Sequence, residues 1–229
     1  MHRLGRYTAS DRMSDLVCGN YHILLIMSRF GIALGFGDRT VDEVCRQSGV
    51  DTATFLAVVN LLYDEGATTV DCRNISLEAF LRYLHNSHDY FLQYRLPDIR
   101  RKLTDAVVCG HNEVADAIVR FFDDYAGEVN KHMMYEEETV RHLLSGESPA
   151  GYDIETFHRQ HDQIEAKLTE LKNILIKYYP SSESCSKEMN SVLFDIFLCE
   201  SELTSHNDLE NRLFIPAVAE VERKIRDAR

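Results

Sequence analysis

An apolar helical stripe near the C-terminus is interrupted by two ionisable residues, and this constrains the fold more than any other feature. Its positions alternate steps of four and three residues, so they share one helix face. They are Val192, Ile196, Cys199, Leu203, His206, Glu210 and Leu213. Burying a histidine and a glutamate without partners costs several kcal/mol, roughly. A metal ion is one of the few partners that suits both side chains, so the stripe predicts a metal ligand pair in a helical core.

Three further segments repeat this pattern. The second also carries a His-x-x-x-Glu pair, and the other two carry one central histidine each. The stripes are Ile118, Phe121, Tyr125, Val129, His132, Glu136, Val140 and Leu143; Leu81, Leu84, His88, Leu92, Leu96 and Ile99; and Ile154, Phe157, His161, Ile164, Leu168, Leu171 and Leu175. We therefore expect four amphipathic helices that direct histidines into one core.

Short connections between these long periodic segments predict an all-α protein with an antiparallel four-helix bundle at residues 76–229. Pro97 falls inside the first stripe, so we expect that helix to be kinked or restarted there, and we expect the last helix to continue past Pro216 with a bend. A small helical domain is predicted at residues 1–66, followed by a linker at 66–74 without apolar periodicity.

The small domain contains a helix–turn–helix pattern that begins at Thr40 and turns at Gly49. Its second helix, DTATFLAVVNLLYDEG, offers only Asn60 for reading bases. A packing role is therefore favoured over DNA binding. The net charge of −12 also disfavours nucleic acid and anionic membranes as partners. Without a long apolar run or a signal-peptide core, the sequence predicts a cytoplasmic protein.

The donor set favours two metal ions over one. Four imidazoles and two carboxylates exceed the needs of a tetrahedral zinc site, and they suit two octahedral-leaning ions bridged by carboxylates, with iron as the favoured metal. Two helices offer a second histidine three residues away, His85 and His158. His88 and His161 lie at the centres of their stripes and are therefore the preferred ligands.

Several motifs resemble those of a known family. They are HDYFLQYRLPDI at 88–99, HMMYEE at 132–137, QHD at 160–162 and SHNDLENRLFIP at 205–216, and the segment 29–51 resembles a small domain that precedes the bundle. The resemblance is to the hemerythrin-like domain of the iron–sulfur cluster repair di-iron proteins, the repair-of-iron-centres family. It implies two non-haem irons, bridged by oxide and carboxylate. The implied ligands are His88, His132, Glu136, His161, His206 and Glu210.

The resemblance implies repair of iron–sulfur clusters damaged by nitric oxide or oxidative stress, with the damaged proteins as clients. It also allows a homodimer. Two alternatives stay open, namely a hemerythrin-like protein that binds or senses dioxygen or nitric oxide without catalysis, and a metal-free structural partner. One departure bears on mechanism, because many family members carry an adjacent cysteine pair in the glycine turn. Here that turn reads Ala33 to Asp38 and contains no thiol.

Overall fold

A computed structural model of the chain describes residues 6–63, 75–109, 114–144, 154–179 and 186–216. These residues are predominantly helical and contain no β-strand, which confirms the predicted all-α class. They fall into two compact units, residues 1–87 with 208–229, and residues 88–207. The domain boundaries at 1–66 and 76–229 remain predictions, since the linker at 66–74 lies outside the described residues. None of the described helices is both long and apolar enough to span a bilayer.

The first unit opens with four short helices. They are α1 (Met13–Gly19), α2 (Ile23–Arg29), α3 (Val41–Gln47) and α4 (Thr52–Tyr63), and most of α5 (Leu77–Asp89) belongs to the same unit. Thr40 begins α3 with the expected capping box, in which its hydroxyl accepts from the backbone N–H of Glu43. Gly49 ends the following turn at φ 67°, a conformation that glycine adopts without strain.

Asn60 has a packing role in this unit. Its Oδ1 accepts from the backbone N–H of Tyr7 at 2.7 Å, and its Nδ2 donates to the Tyr7 carbonyl at 2.9 Å. The side chain that sequence reasoning considered for reading bases is therefore occupied in fixing the N-terminal segment to α4. This contact favours the packing interpretation of the helix–turn–helix.

The second unit is a bundle of four helical segments. Its elements, after His88 and Asp89 at the end of α5, are a π-helical segment (Tyr90–Arg95), α6 (Leu96–Cys109), α7 (Ala115–Leu144), α8 (Ile154–Lys177) and α9, which runs Ser186–Leu209 and leaves the unit after Asn207. One apolar core includes buried side chains from all four segments, for example Leu103, Tyr125, Leu171 and Ile196. All seven positions of the C-terminal stripe are buried, as the period predicts.

The helix containing Pro97 is widened rather than broken. The backbone N–H of Leu96 donates to the carbonyl of Phe91, five residues earlier, so the turn before the proline is a π turn. The wider turn provides space for the proline ring, which would clash with the carbonyl four residues back in an α-helix. A second π segment, Glu210–Phe214, precedes Pro216 in the same way.

The π turn also corrects the predicted core positions. Phe91 is fully buried, whereas Leu92 of the predicted stripe is only half-buried. A similar one-residue difference occurs on α7, where Phe122 is buried and Phe121 is half-buried. A fixed 3.6-residue period cannot anticipate the π turn before Pro97, whereas α7 is α-helical throughout and its difference only shows which of two neighbouring positions faces the core. The side chains of Val140, Leu143, Ile154 and Phe157 lie outside the description.

Two aliphatic side chains of α8 test this core. Leu171 is fully buried and Ile176 is 57% exposed. Leu171→Ala should lower the free energy of unfolding by about 2–5 kcal/mol, because it leaves a cavity. Ile176→Ala should change it by less than about 0.5 kcal/mol. Urea unfolding monitored by circular dichroism measures both, and equal losses would contradict the assigned rotation of α8.

Candidate metal centre

Five of the six predicted ligands lie within the second unit, and each is almost completely buried. His88 lies at the end of α5, His132 and Glu136 lie one turn apart on α7, His161 is on α8 and His206 is on α9; their exposed fractions are 1–6%. The sixth, Glu210, begins the second π segment one turn after His206 and is fully buried. By contrast, His85 is exposed, and the side chain of His158 lies outside the description.

The side chains of the second unit form two groups that share Glu136. In one group the ligand atoms of His88, Glu136 and His206 lie within 4.8 Å of one another, and in the other those of His132, Glu136 and His161 do so. The two oxygens of Glu136 face different groups. Oε2 lies 3.0 Å from Nε2 of His88, and Oε1 lies 3.2 Å from Nε2 of His132. The carboxylate is therefore placed to bridge two cations.

Two oxygen atoms outside these groups fix the orientation of the imidazoles. Nδ1 of His88 lies 2.7 Å from Oε1 of Glu137, and Nδ1 of His132 lies 3.0 Å from Oε1 of Gln160. Because a carboxylate or amide oxygen only accepts, each Nδ1 carries the proton and donates it. Each Nε2 then directs a lone pair toward the carboxylate of Glu136.

This arrangement fits a metal ion. A lone pair on Nε2 and a carboxylate oxygen about 3 Å away repel each other, since neither supplies a hydrogen. A cation bound between them replaces that repulsion with two attractive contacts. Neutral imidazole with its second nitrogen bound to a carboxylate or amide oxygen is also the usual state of a metal-ligating histidine in proteins.

The remaining two imidazoles lie close to these pairs. The ring centroids of His132 and His161 are 4.4 Å apart, and those of His88 and His206 are 5.2 Å apart. Phe91 contacts His206 edge-on at 5.8 Å. The low dielectric of such an apolar surrounding strengthens the attraction between the carboxylate and a bound cation.

A small cavity lies beside the imidazoles of His132 and His206. Its volume is about 20 Å³, and most of its surface is apolar, from side chains such as Met133 and Ile164, although Glu165 and Glu200 also line it. A cavity of this size holds one water molecule or a ligand of similar size.

Glu137 and Gln160 form hydrogen bonds to two imidazoles of the candidate centre, and the sequence did not identify these contacts. The acidic run at 136–138 predicts one ligand and two solvated neighbours, and for Glu137 this is wrong, because its side chain is 24% exposed and bound to His88. Glu138 is 64% exposed, as expected, and pairs with Arg141. The only sequence signal for Glu137 and Gln160 was that each adjoins a predicted ligand, Glu136 or His161. The histidine that each one binds lies on another helix, and the periodicity of a single helix does not predict contacts between helices.

Comparison with known proteins identifies a family. The family model described as the hemerythrin HHE cation binding domain matches residues 79–218, which is more than half of the chain and includes all six predicted ligands. No curated protein matches the chain significantly.

Neighbouring glutamates of α7 test the role of Glu137. Glu137→Ala removes the acceptor that orients His88 and should weaken metal binding about 10- to 100-fold. Glu138→Ala serves as the matched control and should leave affinity unchanged, because that side chain is exposed and contacts no histidine of the centre. Competition with a chromophoric chelator measures both affinities. Equal affinities in the two variants would show that Glu137 does not orient a ligand.

Proposed function

Because this chain belongs to the hemerythrin HHE cation binding domain family, we propose that it binds two non-haem iron ions. The proposed ligands are His88, His132, Glu136, His161, His206 and Glu210. Support comes from Glu136, whose two oxygens face imidazoles of two different groups. The buried position of Glu210, one turn after His206, supports its role as the second bridging carboxylate.

Two octahedral-leaning ions held by these six protein ligands would keep positions available for small ligands such as nitric oxide or dioxygen. Glu137 and Gln160 hold the protons on Nδ1 of His88 and His132, so that both Nε2 atoms stay available for binding. The cavity beside His132 and His206 provides space for a ligand of one or two atoms and excludes larger ones.

We propose that the centre serves the repair of iron–sulfur clusters damaged by nitric oxide or oxidative stress, in the cytoplasm. Its clients would be the damaged iron–sulfur proteins, and the repair would proceed by delivering iron or removing bound nitric oxide. The motifs at 88–99, 132–137, 160–162 and 205–216 support this proposal through their resemblance to the di-iron repair proteins. Nucleic acid and membranes are not proposed as partners, because the chain carries a net charge of −12. A homodimer remains compatible with the sequence.

A second candidate is reversible binding or sensing of dioxygen or nitric oxide without catalysis. Two observations favour it, namely the small size of the cavity and the missing cysteine pair at Ala33 to Asp38. Reduced, iron-loaded protein separates the two candidates. Restoration of a nitric-oxide-damaged cluster enzyme supports repair, whereas reversible ligand binding without restoration supports the second candidate.

Replacing each of two histidines on α5 by alanine, in separate variants, tests the ligand assignment. His88→Ala should lose much of the two irons per chain and the near-ultraviolet charge-transfer absorption of a ferric pair. His85→Ala should retain both, since that side chain is exposed. Metal analysis of protein loaded anaerobically with ferrous iron gives the answer. Iron loss in His85→Ala, with retention in His88→Ala, would mean that α5 is rotated.

The cysteines of the first unit test for thiol chemistry. Burial raises the pKa of Cys45 to about 12, so its thiol is protonated and poorly nucleophilic at neutral pH. Cys18 is exposed but is not part of an adjacent pair. Repair activity should therefore survive Cys18→Ser with Cys45→Ser. Lost activity at unchanged iron content would establish a thiol mechanism.

A further inference from the structure

A buried charged cluster connects the first π segment to α9. Arg95 ends the π segment, and its Nη1 donates to Oδ1 of Asp195 at 3.3 Å while its Nη2 donates to the backbone carbonyl of Asp195 at 3.1 Å. Nη2 also lies 3.7 Å from Oε1 of Glu202. The side chains of Arg95 and Glu202 are only 8% and 3% exposed. One guanidinium thus contacts α9 at two points that are seven residues apart.

The cluster lies on the helix pair that carries one group of the candidate centre. His88 faces His206 with ring centroids 5.2 Å apart. Arg95, seven residues after His88, contacts Glu202 and Asp195, which precede His206 by four and eleven residues. Seven helical residues extend about 10 Å. The charged contact and the imidazole pair therefore lie along one antiparallel interface, about two turns apart.

Stability alone is a poor reason for burying these charges. Burial by itself lowers the pKa of Arg95, but the negative charge of Glu202, aided by Asp195, outweighs it and raises the pKa, so the guanidinium stays charged. A buried ion pair recovers its desolvation cost only partly, and apolar residues of similar volume often stabilise a fold as well. What a charged pair adds is a fixed relative position of two helices.

The position of His88 relative to α9 depends on the geometry of the π segment. A π turn contains about one residue more than an α turn, so conversion to α geometry would rotate the residues before it by about 100° relative to those after it. His88 lies two residues before this segment and Arg95 at its end. Arg95, at the C-terminal end of the π turn, binds α9. This contact fixes the rotation of the helix after the turn relative to α9, which carries His206.

We propose that Arg95 and Glu202 are positioning residues that fix the distance between His88 and His206 for metal binding. The inference rests on the proposed function, since it assumes a metal at that pair. It predicts a selective effect: His132 and His161 lie on α7 and α8, which these two side chains do not join, so the ion of that group should be unaffected.

The experiment uses the full chain loaded with Co²⁺, whose visible absorption reports ligand number and geometry. Arg95→Met and Glu202→Gln should each release one of the two ions to a chelator about tenfold faster and change its absorption, with the second ion unchanged. Arg95→Lys keeps the positive charge but loses the paired Nη1 and Nη2 donors, so its rate of ion release should lie between those of Arg95→Met and the natural chain. In a His161→Ala background, which disables the other group, the remaining ion should be the one released faster.

Arg100→Met is the matched control, because Arg100 forms an exposed ion pair with Asp123 on α7 at 2.6 Å instead of a buried one with α9. Its release kinetics should equal those of the natural chain. Unchanged release in Arg95→Met and Glu202→Gln, or equal acceleration of both ions, would overturn the inference and leave the proposed metal binding intact. A natural chain that binds no Co²⁺ would overturn both. Glu202→Gln preserves side-chain shape and decides the matter if Arg95→Met does not fold.

Discussion

The carboxylate of Glu136 is the constraint on which the second unit depends. It is 1% exposed and lies between two imidazole nitrogens at 3.0 and 3.2 Å. A buried carboxylate needs compensation worth several kcal/mol, roughly. Two features of the bundle allow a cation to compensate the buried negative charge of Glu136. Glu137 and Gln160 set the imidazole protons, and the rotation of α7 directs Glu136 inward together with His132.

The helical period predicted the burial of all six proposed ligand side chains, because burial in a bundle is a one-dimensional pattern along each helix. It selected His88 over His85, and the structure buries the first and exposes the second. It could not identify contacts between helices. The bonds of Glu137 to His88 and of Gln160 to His132 join residues 49 and 28 positions apart. Pro97 predicted a disturbed helix, but the choice between a kink and a π turn depends on how the neighbouring helices pack.

The first unit follows local rules more closely. Thr40 and Glu43 form the expected capping box, and Gly49 adopts the positive φ that its place after α3 requires. The residue types of the second helix predicted its role better than the helix–turn–helix pattern did, since its one candidate for reading bases, Asn60, binds the backbone of Tyr7. A helix–turn–helix reads nucleic acid only if polar side chains on its second helix are available, and here the one candidate is used internally.

The π turn between His88 and Arg95 limits how the length of this helix can vary. A π turn is equivalent to one residue inserted into an α-helix, so loss of any single residue from 90–95 would let the segment return to α geometry. His88 and Arg95 would then move to different faces, and only one of them could keep its partner on α9. Length variation in relatives of this chain should consequently be excluded from that segment and be tolerated in the connections between helices.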